Sequence, residues 1–444
     1  MLQPDKINAF PRKKLFIEVL TQDVNAKTCI LDLIDNSVDS YIRNKIQERR
    51  EINLVINDKE FEIYDTCGGI DKDFLKTNVF RFGAENLNRE DPTLGMYGIG
   101  LKRSIFKIGN AITLETDDGK DYSLMEMNVK EWEDKNEHDW EIPFETDRSS
   151  LKNDLPFTRI KISDLHKDIS EKFSLVTFRK DILAVLKRTY CLIIKNQINF
   201  KLNDINIEPD QLIVPFDKEY TPSVHIEDYQ DINIHIICFI DPSKGTRLKE
   251  VVNSVGWNLF CNNRLILAND TSPVTGWVGG TDKSFLPKYH TIYNEFRGIV
   301  FLKSNNPFNL PLNTSKDSLN TEDKNYHYIL NKMIITARPV IDYLSKKYDA
   351  EKEEEDAIED TIEQTIDNDF NPSDNRQANE IDQPSTFNAP PKVSIKKDPM
   401  ARISYMMKKN IVDKVKSFLD VSSNKEVGEK TFEYFIDREE IGND

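Results

Sequence analysis

The chain has 444 residues, a formal net charge of −16 and 38% hydrophobic residues. That length leaves room for two or three domains, and the acidic balance argues against nucleic acid wrapped over the whole surface, while leaving room for a local basic channel. No apolar run reaches the roughly 20 residues of a membrane span, no signal-peptide pattern opens the chain, and five scattered cysteines without metal spacing fit a reducing compartment. These features predict a soluble, cytoplasmic protein.

Residues 1–20 mix Pro4, Pro11, Arg12, Lys13 and Lys14 before the apolar run Leu15 to Leu20, which predicts an arm and a short helix. The segment Cys29 to Ser40 carries Asp32, Asp35, Asn36 and Asp39 at i, i+3, i+4 and i+7, one stripe of a helix. Ile30, Leu31, Leu33, Ile34, Val38 and Tyr41 make the rest of it apolar. Such a helix is buried with its carboxylates facing a cleft or ion, or else shows a solvated acidic face, and the helix alone leaves both open. Ile52–Ile56 and Glu60–Tyr64 read as paired strands joined at Asn57-Asp58. Asp65-Thr-Cys-Gly-Gly follows as a turn, then a short helix to Phe80, a polar glycine-bearing loop over 81–100, and a helix over 101–108 stopped by Gly109-Asn110. Alternating runs at 111–115, 122–127 and 158–162 complete a sheet with helices on one face, an α+β layer.

An amphipathic helix over 173–190 leads to strands at 205–207, 232–240, 257–261, 264–267 and 298–302 and a helix over 323–348. Residues 351–391 turn acidic and then rich in Asn, Gln, Ser and Pro, a composition that predicts a disordered linker. Two small amphipathic helices over 408–419 and 427–435 follow. The predicted organisation is thus an arm (1–20), a first domain (21–168), a second α/β domain with a terminal helix (169–350), an acidic linker (351–391) and a small helical module (392–444).

Gly95, Gly98 and Gly100, followed by Lys102, open a helix. Backbone N–H groups at that spacing converge on an anion, and the helix dipole assists. The stretch differs from the dinucleotide fingerprint and the P-loop, since no strand immediately precedes it and no Ser or Thr follows Lys102. Asp65 at a strand end is suited to accept from an exocyclic amine; taken alone it is also an ordinary turn.

In this order, the three stretches resemble the GHKL superfamily of ATPases: gyrase, the ninety-kilodalton chaperone, histidine kinases and MutL. The boxes are Asp32-Leu-Ile-Asp35-Asn36, then Asp65-Thr-Cys67-Gly68-Gly69, then Gly95-x-x-Gly98-x-Gly100, with Thr158 entering a late strand. The resemblance implies a Bergerat-fold domain that binds ATP with Mg²⁺. Asn36 would then hold the metal, Asp65 with Gly69 and Thr158 the adenine, and Gly95, Gly98, Gly100 and Lys102 the phosphates. Residues 82–100 would form the lid and Asp32 the general base. Two departures stand out: Cys67 replaces a glycine, which should crowd the adenine side slightly, and Asp32 replaces the usual Glu. Asp is shorter by about 1.5 Å, and a base must reach its water, so slow hydrolysis is expected.

The second domain separates branches of the superfamily. No histidine precedes the first box, against a histidine-kinase reading. Gly256 to Arg264 resembles the transducer strand of gyrase and MutL with its Asn-x-Arg turn, and Pro311 to Asp317 resembles the loop whose lysine, here Lys316, senses the γ-phosphate. The pattern sits nearest the bacterial MORC-like branch. It implies an ATP-dependent homodimeric clamp or switch, with DNA transactions or anti-phage defence as tasks by analogy. The alternative is a non-hydrolysing ATP sensor that presents its C-terminal module to a protein partner. Basic residues from Lys392 to Lys409 also keep DNA open as a partner of that module.

Overall fold

The computed structural model describes residues 12–81, 91–95, 98–136, 139–148, 154–241, 255–280, 284–356, 374–390, 406–439 and 441. The chain divides into two compact units. The larger takes residues up to Tyr348 and again Asp367–Lys392, and the smaller takes Asp349–Ile366 and Val393–Asp444.

The larger unit is built on two sheets. Its first half runs α1 (Lys13–Gln22), α2 (Ala26–Arg43), β1 (Arg50–Ile56), β2 (Phe61–Asp65) and α3 (Lys72–Phe74), which continues into a π-helical turn over Leu75–Val79. It goes on with α4 (Gly100–Ile108), β3 (Gly109–Asp117), β4 (Asp121–Asn128), α5 (Val129–Asp134), β5 (Glu145–Arg148) and β6 (Phe157–Leu165). Helices α6 (Lys167–Ser174), α7 (Val176–Thr189) and α8 (Cys191–Asn196) then lead to β7 (Ile198–Leu202) and β8 (Ile205–Asn206). The eight strands lie in the order β5-β4-β3-β6-β2-β1-β7-β8. All pairs are antiparallel except β1 with β7, which run parallel from Arg50 opposite Ile198 to Leu54 opposite Leu202.

The core lies between this sheet and its helices. Ile52, Leu54, Ile63, Ile112 and Ile162 meet Ile30, Leu33, Ile34, Ile105 and Phe106. The α+β layering expected of the first domain is therefore present. Its extent is not as expected, because the crossover α6–α8 returns β7 and β8 to the first sheet and one hydrophobic core continues to Ile207. Without β7, β1 would be a bare edge. The helix expected over 173–190 is two helices, broken where Leu175 turns extended at ψ 126°.

Helix α2 is buried nearly all round, including Asp32, Asp35 and Asp39. The Asn25 side chain caps its N-terminus by accepting from Thr28 N at 3.0 Å. Of the expected N-terminal arm, residues 1–11 lie outside the described residues. Residues from Lys13 onward form α1, in which Ile17 and Lys13 are buried. Lys13 Nζ donates to the Trp132 carbonyl at 2.8 Å.

The second half begins with β9 (Ile213–Phe216), β10 (Ser223–Tyr229) and β11 (Ile232–Ile240). It continues with β12 (Gly256–Cys261), β13 (Arg264–Asp270), β14 (Phe296–Lys303), the long α9 (Lys324–Asp356) and β15 (Asp374–Gln377). Five strands order as β10-β11-β14-β12-β13. One sheet face, with Ile234, Ile236, Trp257 and Val300, packs on Ile329, Met333, Ala337 and Val340 of α9. The other, with Ile237, Phe239, Phe260 and Phe301, is covered by Val214, Phe216, Ala378 and Ile381.

That last contact corrects the linker expectation. Residues 374–390 are not a disordered spacer: β15 pairs antiparallel with β9, and Ser385 and Asn388 bridge to Val224 and Thr221. The segment orders because it buries Ala378 and Ile381 on a sheet face that would otherwise meet water. In the smaller unit, α10 (Lys409–Leu419) and α11 (Asn424–Arg438) form two helices, with a capping box between Ser423 and Glu426. Basic Lys392, Lys396, Lys397 and Arg402 lie outside the described residues.

Candidate nucleotide site

Helix α2 carries the chemistry, and its apolar face decides which way that chemistry points. Packing Ile30, Leu33 and Ile34 into the core turns Asp32, Asp35 and Asp39 toward α4 and the second half. The Asp32 carboxylate is 1% exposed. Arg103 of α4 brings both Nε and Nη2 to 2.7 Å from its Oδ2. Its Oδ1 has no hydrogen-bond partner among the described residues, and Lys316 Nζ stands 3.8 Å away. Burial pushes this carboxyl above the ordinary range, against the pull of Lys316 and Arg103.

Asp35, read only as a spacer within the first box, is the most heavily bonded carboxylate of the site. Oδ1 accepts from Tyr190 Oη at 2.7 Å and Arg264 Nε at 2.9 Å, and Oδ2 from Lys316 Nζ at 2.8 Å. Burial alone would raise its pKa, but Arg264 and Lys316 outweigh it and hold the carboxyl below the usual range. Arg264 Nη1 also donates to the Lys316 carbonyl at 2.6 Å. Lys316 itself sits at φ +55° in the left-handed region, uncommon for a side chain larger than Asn or Asp.

Asp39 anchors the base of the expected lid: its two oxygens accept from Leu94 N at 2.8 Å and Gly95 N at 2.7 Å. A Cβ at Gly95 would stand 2.9 Å from Asp39 Oδ2, so this approach needs glycine. Lid residues 82–90, 96 and 97 lie outside the described residues. Beyond them, Gly98 has φ +62°, and no side chain caps α4, which starts at Gly100. A Cβ on Gly100 would lie 3.4 Å from Asp32 Cγ, so the α4 N-terminus abuts the Asp32 side chain. Lys102 is buried and donates to the Gly98 carbonyl, and burial lowers its pKa to about 8.

At the other end of the site, Asp65 closes β2. Ser37 Oγ donates to its Oδ2 at 2.7 Å and Cys67 N to its Oδ1 at 2.8 Å. Burial pushes the carboxyl up to about 6 in spite of both bonds. Thr158 lies opposite Asp65 in the β2–β6 register, and its hydroxyl meets that of Thr116 at 3.2 Å. Gly69, at φ +71°, would drive a Cβ to 2.2 Å from the Asp117 carbonyl. Cys67 is fully buried within the first core, so its side chain packs into the domain.

Asn36 is half-buried, and its Nδ2 is buried with no hydrogen-bond partner among the described residues. Its amide is a side-chain group suited to a divalent cation that keeps most of its shell as water and phosphate oxygens. Around Asp32 and Asp35 stand three cations, Arg103, Arg264 and Lys316. Against the carboxylates Asp32, Asp35 and Asp39 these three balance, and Lys102 in α4 tips the face positive by one, which fits an anionic ligand despite the acidic chain.

The first and third boxes and Lys316 thus converge around α2, and the second box lies along the same helix through Ser37. Sequence reasoning passed over Arg103, Tyr190 and Asp39 as functional groups, and met Asn262 only as the first residue of the Asn-x-Arg turn. Asp39 shared the acidic stripe, and Arg103 stood beside Lys102. Tyr190 gave no local signal. Asn262 Nδ2 donates to the Thr93 carbonyl at 3.1 Å, tying the β12–β13 turn to the lid base.

Residues 24–160 match the family model of histidine kinase-, DNA gyrase B- and HSP90-like ATPases. The match covers most of the first half of the larger unit. It supports assigning that half to the GHKL superfamily and, with it, ATP binding. No curated protein matches the chain. Among the described residues, no helix is long and apolar enough to cross a membrane.

Proposed function

We propose that the chain binds Mg²⁺ and ATP, hydrolyses ATP slowly, and relays nucleotide state to its second half through Lys316. One observation carries this reading. Lys316, from the second half, extends its ammonium between Asp35 and Asp32 of α2. A γ-phosphate would compete with Asp35 for that ammonium, and the balance of arrangements would shift by as much as ATP discriminates between them.

Asp65, Gly69 and Thr158 would take the adenine end. Gly95, Gly98, Gly100 and Lys102 would hold phosphates, and Asn36 would be the protein ligand of Mg²⁺. Asp32 is the base, one methylene shorter than the usual Glu, hence the slow turnover. On the gyrase-like resemblance, ATP also draws two copies into a clamp. The commitment of Asp32 Oδ2 to Arg103 favours a second reading, a non-hydrolysing sensor that acts through a protein partner.

Calorimetric titration with Mg·ATP and phosphate release from the parent and Asp32→Ala separate these. Heat with Asp32-dependent phosphate release supports the ATPase. Heat without phosphate leaves the sensor. No heat overturns both. Scattering mass with a non-hydrolysable analogue tests the clamp, and an unchanged monomer removes it.

A further inference from the structure

We propose that Arg103 is a positioning residue that holds Asp32 with one oxygen tied and the other presented to the attacking water. The inference rests on the hydrolytic reading above. An arginine fork usually spans both oxygens of a carboxylate. Here Nε and Nη2 both close on Oδ2 at 2.7 Å. Oδ1 is left buried and without a hydrogen bond among the described residues, an arrangement that costs free energy unless a donor arrives. A water is such a donor.

Arg103 is itself fixed. It is 5% exposed, and its Nη2 faces the Thr314 carbonyl at 3.4 Å, two residues before Lys316. The orientation of the base is therefore joined to the loop that carries the phosphate-sensing lysine. An Asp has too short a reach to tolerate a loose rotamer, and misplacement of a catalytic group by about 1 Å costs on the order of 100-fold in rate.

The step balances without another reactant. Water oxygen bonds to the γ-phosphorus as the bond to the β–γ bridging oxygen breaks, and that electron pair leaves with ADP. The water proton passes to Asp32 Oδ1 and then to solvent. Atoms and charge close as ATP plus water giving ADP, phosphate and a proton.

The charged and titratable groups facing Asp32 are Arg103 from α4, Lys316 and Arg264 from the second half, and Asp35 and Cys29 on its own helix. Removing Arg103 takes away a cation that favours the carboxylate, so the acid limb of kcat moves to higher pH.

The test is phosphate release from the full chain with Mg·ATP across pH, for the parent, Arg103→Gln, Arg103→Lys and Asp32→Ala, with ATP affinity measured by calorimetry. Arg103→Gln should lower kcat by about 100-fold, a larger change than in ATP affinity, and shift the acid limb upward. Arg103→Lys, which keeps the charge but not the fork, should restore the limb and part of kcat. The proposal is overturned if Arg103→Gln leaves the limb in place, if it raises kcat, or if loss of kcat is not relieved by Arg103→Lys. Should Arg103→Gln fail to fold, Arg103→Lys decides alone, and parental kcat in that variant overturns the proposal. A failure of the hydrolytic reading appears separately, as no phosphate release from the parent or equal release from Asp32→Ala, and it removes this proposal as well.

Discussion

Asp35 and Lys316, 281 positions apart, form a buried ion pair at 2.8 Å. The same carboxylate holds Arg264 and Tyr190, so one side chain of α2 fastens the second half of the larger unit to the first. Removing one member of such a cluster strands the others, typically at about 3–5 kcal/mol. Asp35→Asn is therefore expected to lose that amount in urea unfolding. Because the folded pKa of Asp35 is depressed, its contribution is present above the unfolded carboxylate value and lost as pH falls through the folded one. The gap between parent and variant should be flat from about pH 5 to pH 8 and close below about pH 4. A variant as stable as the parent would mean that the cluster adds nothing to docking.

Asp65 has the opposite sign. Its folded pKa, raised by burial to about 6, lies above the unfolded value. The folded state then holds extra protons between about pH 4 and pH 6, and stability from this group falls as pH rises through that window. At neutral pH the buried carboxylate costs about 3 kcal/mol. Asp65→Asn should melt higher than the parent at neutral pH, with the advantage shrinking toward pH 5. The same change replaces one acceptor oxygen with an NH2 that cannot accept from the adenine amine and removes the carboxylate charge, so calorimetry should show weakened ATP binding. A melting gap independent of pH would refute the linkage, and parental ATP affinity would refute the adenine role.

How much of this was legible follows from where each signal lies. Helix α2 announced itself because Ile30, Leu33, Ile34 and Val38 recur at helical spacing, and the glycines of the third box marked the start of α4. The fate of the acidic stripe was not legible, because its partners Arg103, Tyr190, Arg264 and Lys316 come from elements distant in sequence. Strand β7 was missed although Ile198-Asn-Phe-Lys-Leu202 alternates in sequence and in burial: its parallel partner lies about 150 positions away, so nothing local tied it to the first sheet. The polar composition of 374–390 concealed Ala378 and Ile381, two apolar residues whose partner is a sheet face and not a helix or hairpin of their own.

The β12–β13 turn offers a test of communication between halves. Asn262 and Asn263 both adopt positive φ, at 46° and 67°, a two-residue hairpin turn suited to asparagine. The Asn262 amide donates to the Thr93 and Ser304 carbonyls and accepts from Ser304 N. Asn262→Gly keeps the backbone permissible while leaving those groups unpaired, at about 1–3 kcal/mol. Hydrogen exchange should quicken at Leu94 and Gly95, whose amides sit beside the lost anchor. Unaltered protection there would show that the turn does not restrain the lid base.

Ile381 tests the covering segment. It is 7% exposed and shares a core with Val214, Phe239 and Phe301. Truncating a buried isoleucine to alanine removes transfer and packing energy of about 2 kcal/mol or more. Ile381→Ala should therefore lower the unfolding midpoint and loosen β15, where Arg376 lies over the Phe216 ring at 4.3 Å. Trypsin needs that strand released before it can cut after Arg376. Cleavage at Arg376 should be slow in the parent and accelerate in Ile381→Ala, in step with the lost stability. Equal and rapid cleavage in both proteins would mean that 374–390 behaves as the spacer its composition suggests, and the second face of the five-stranded sheet would need another cover.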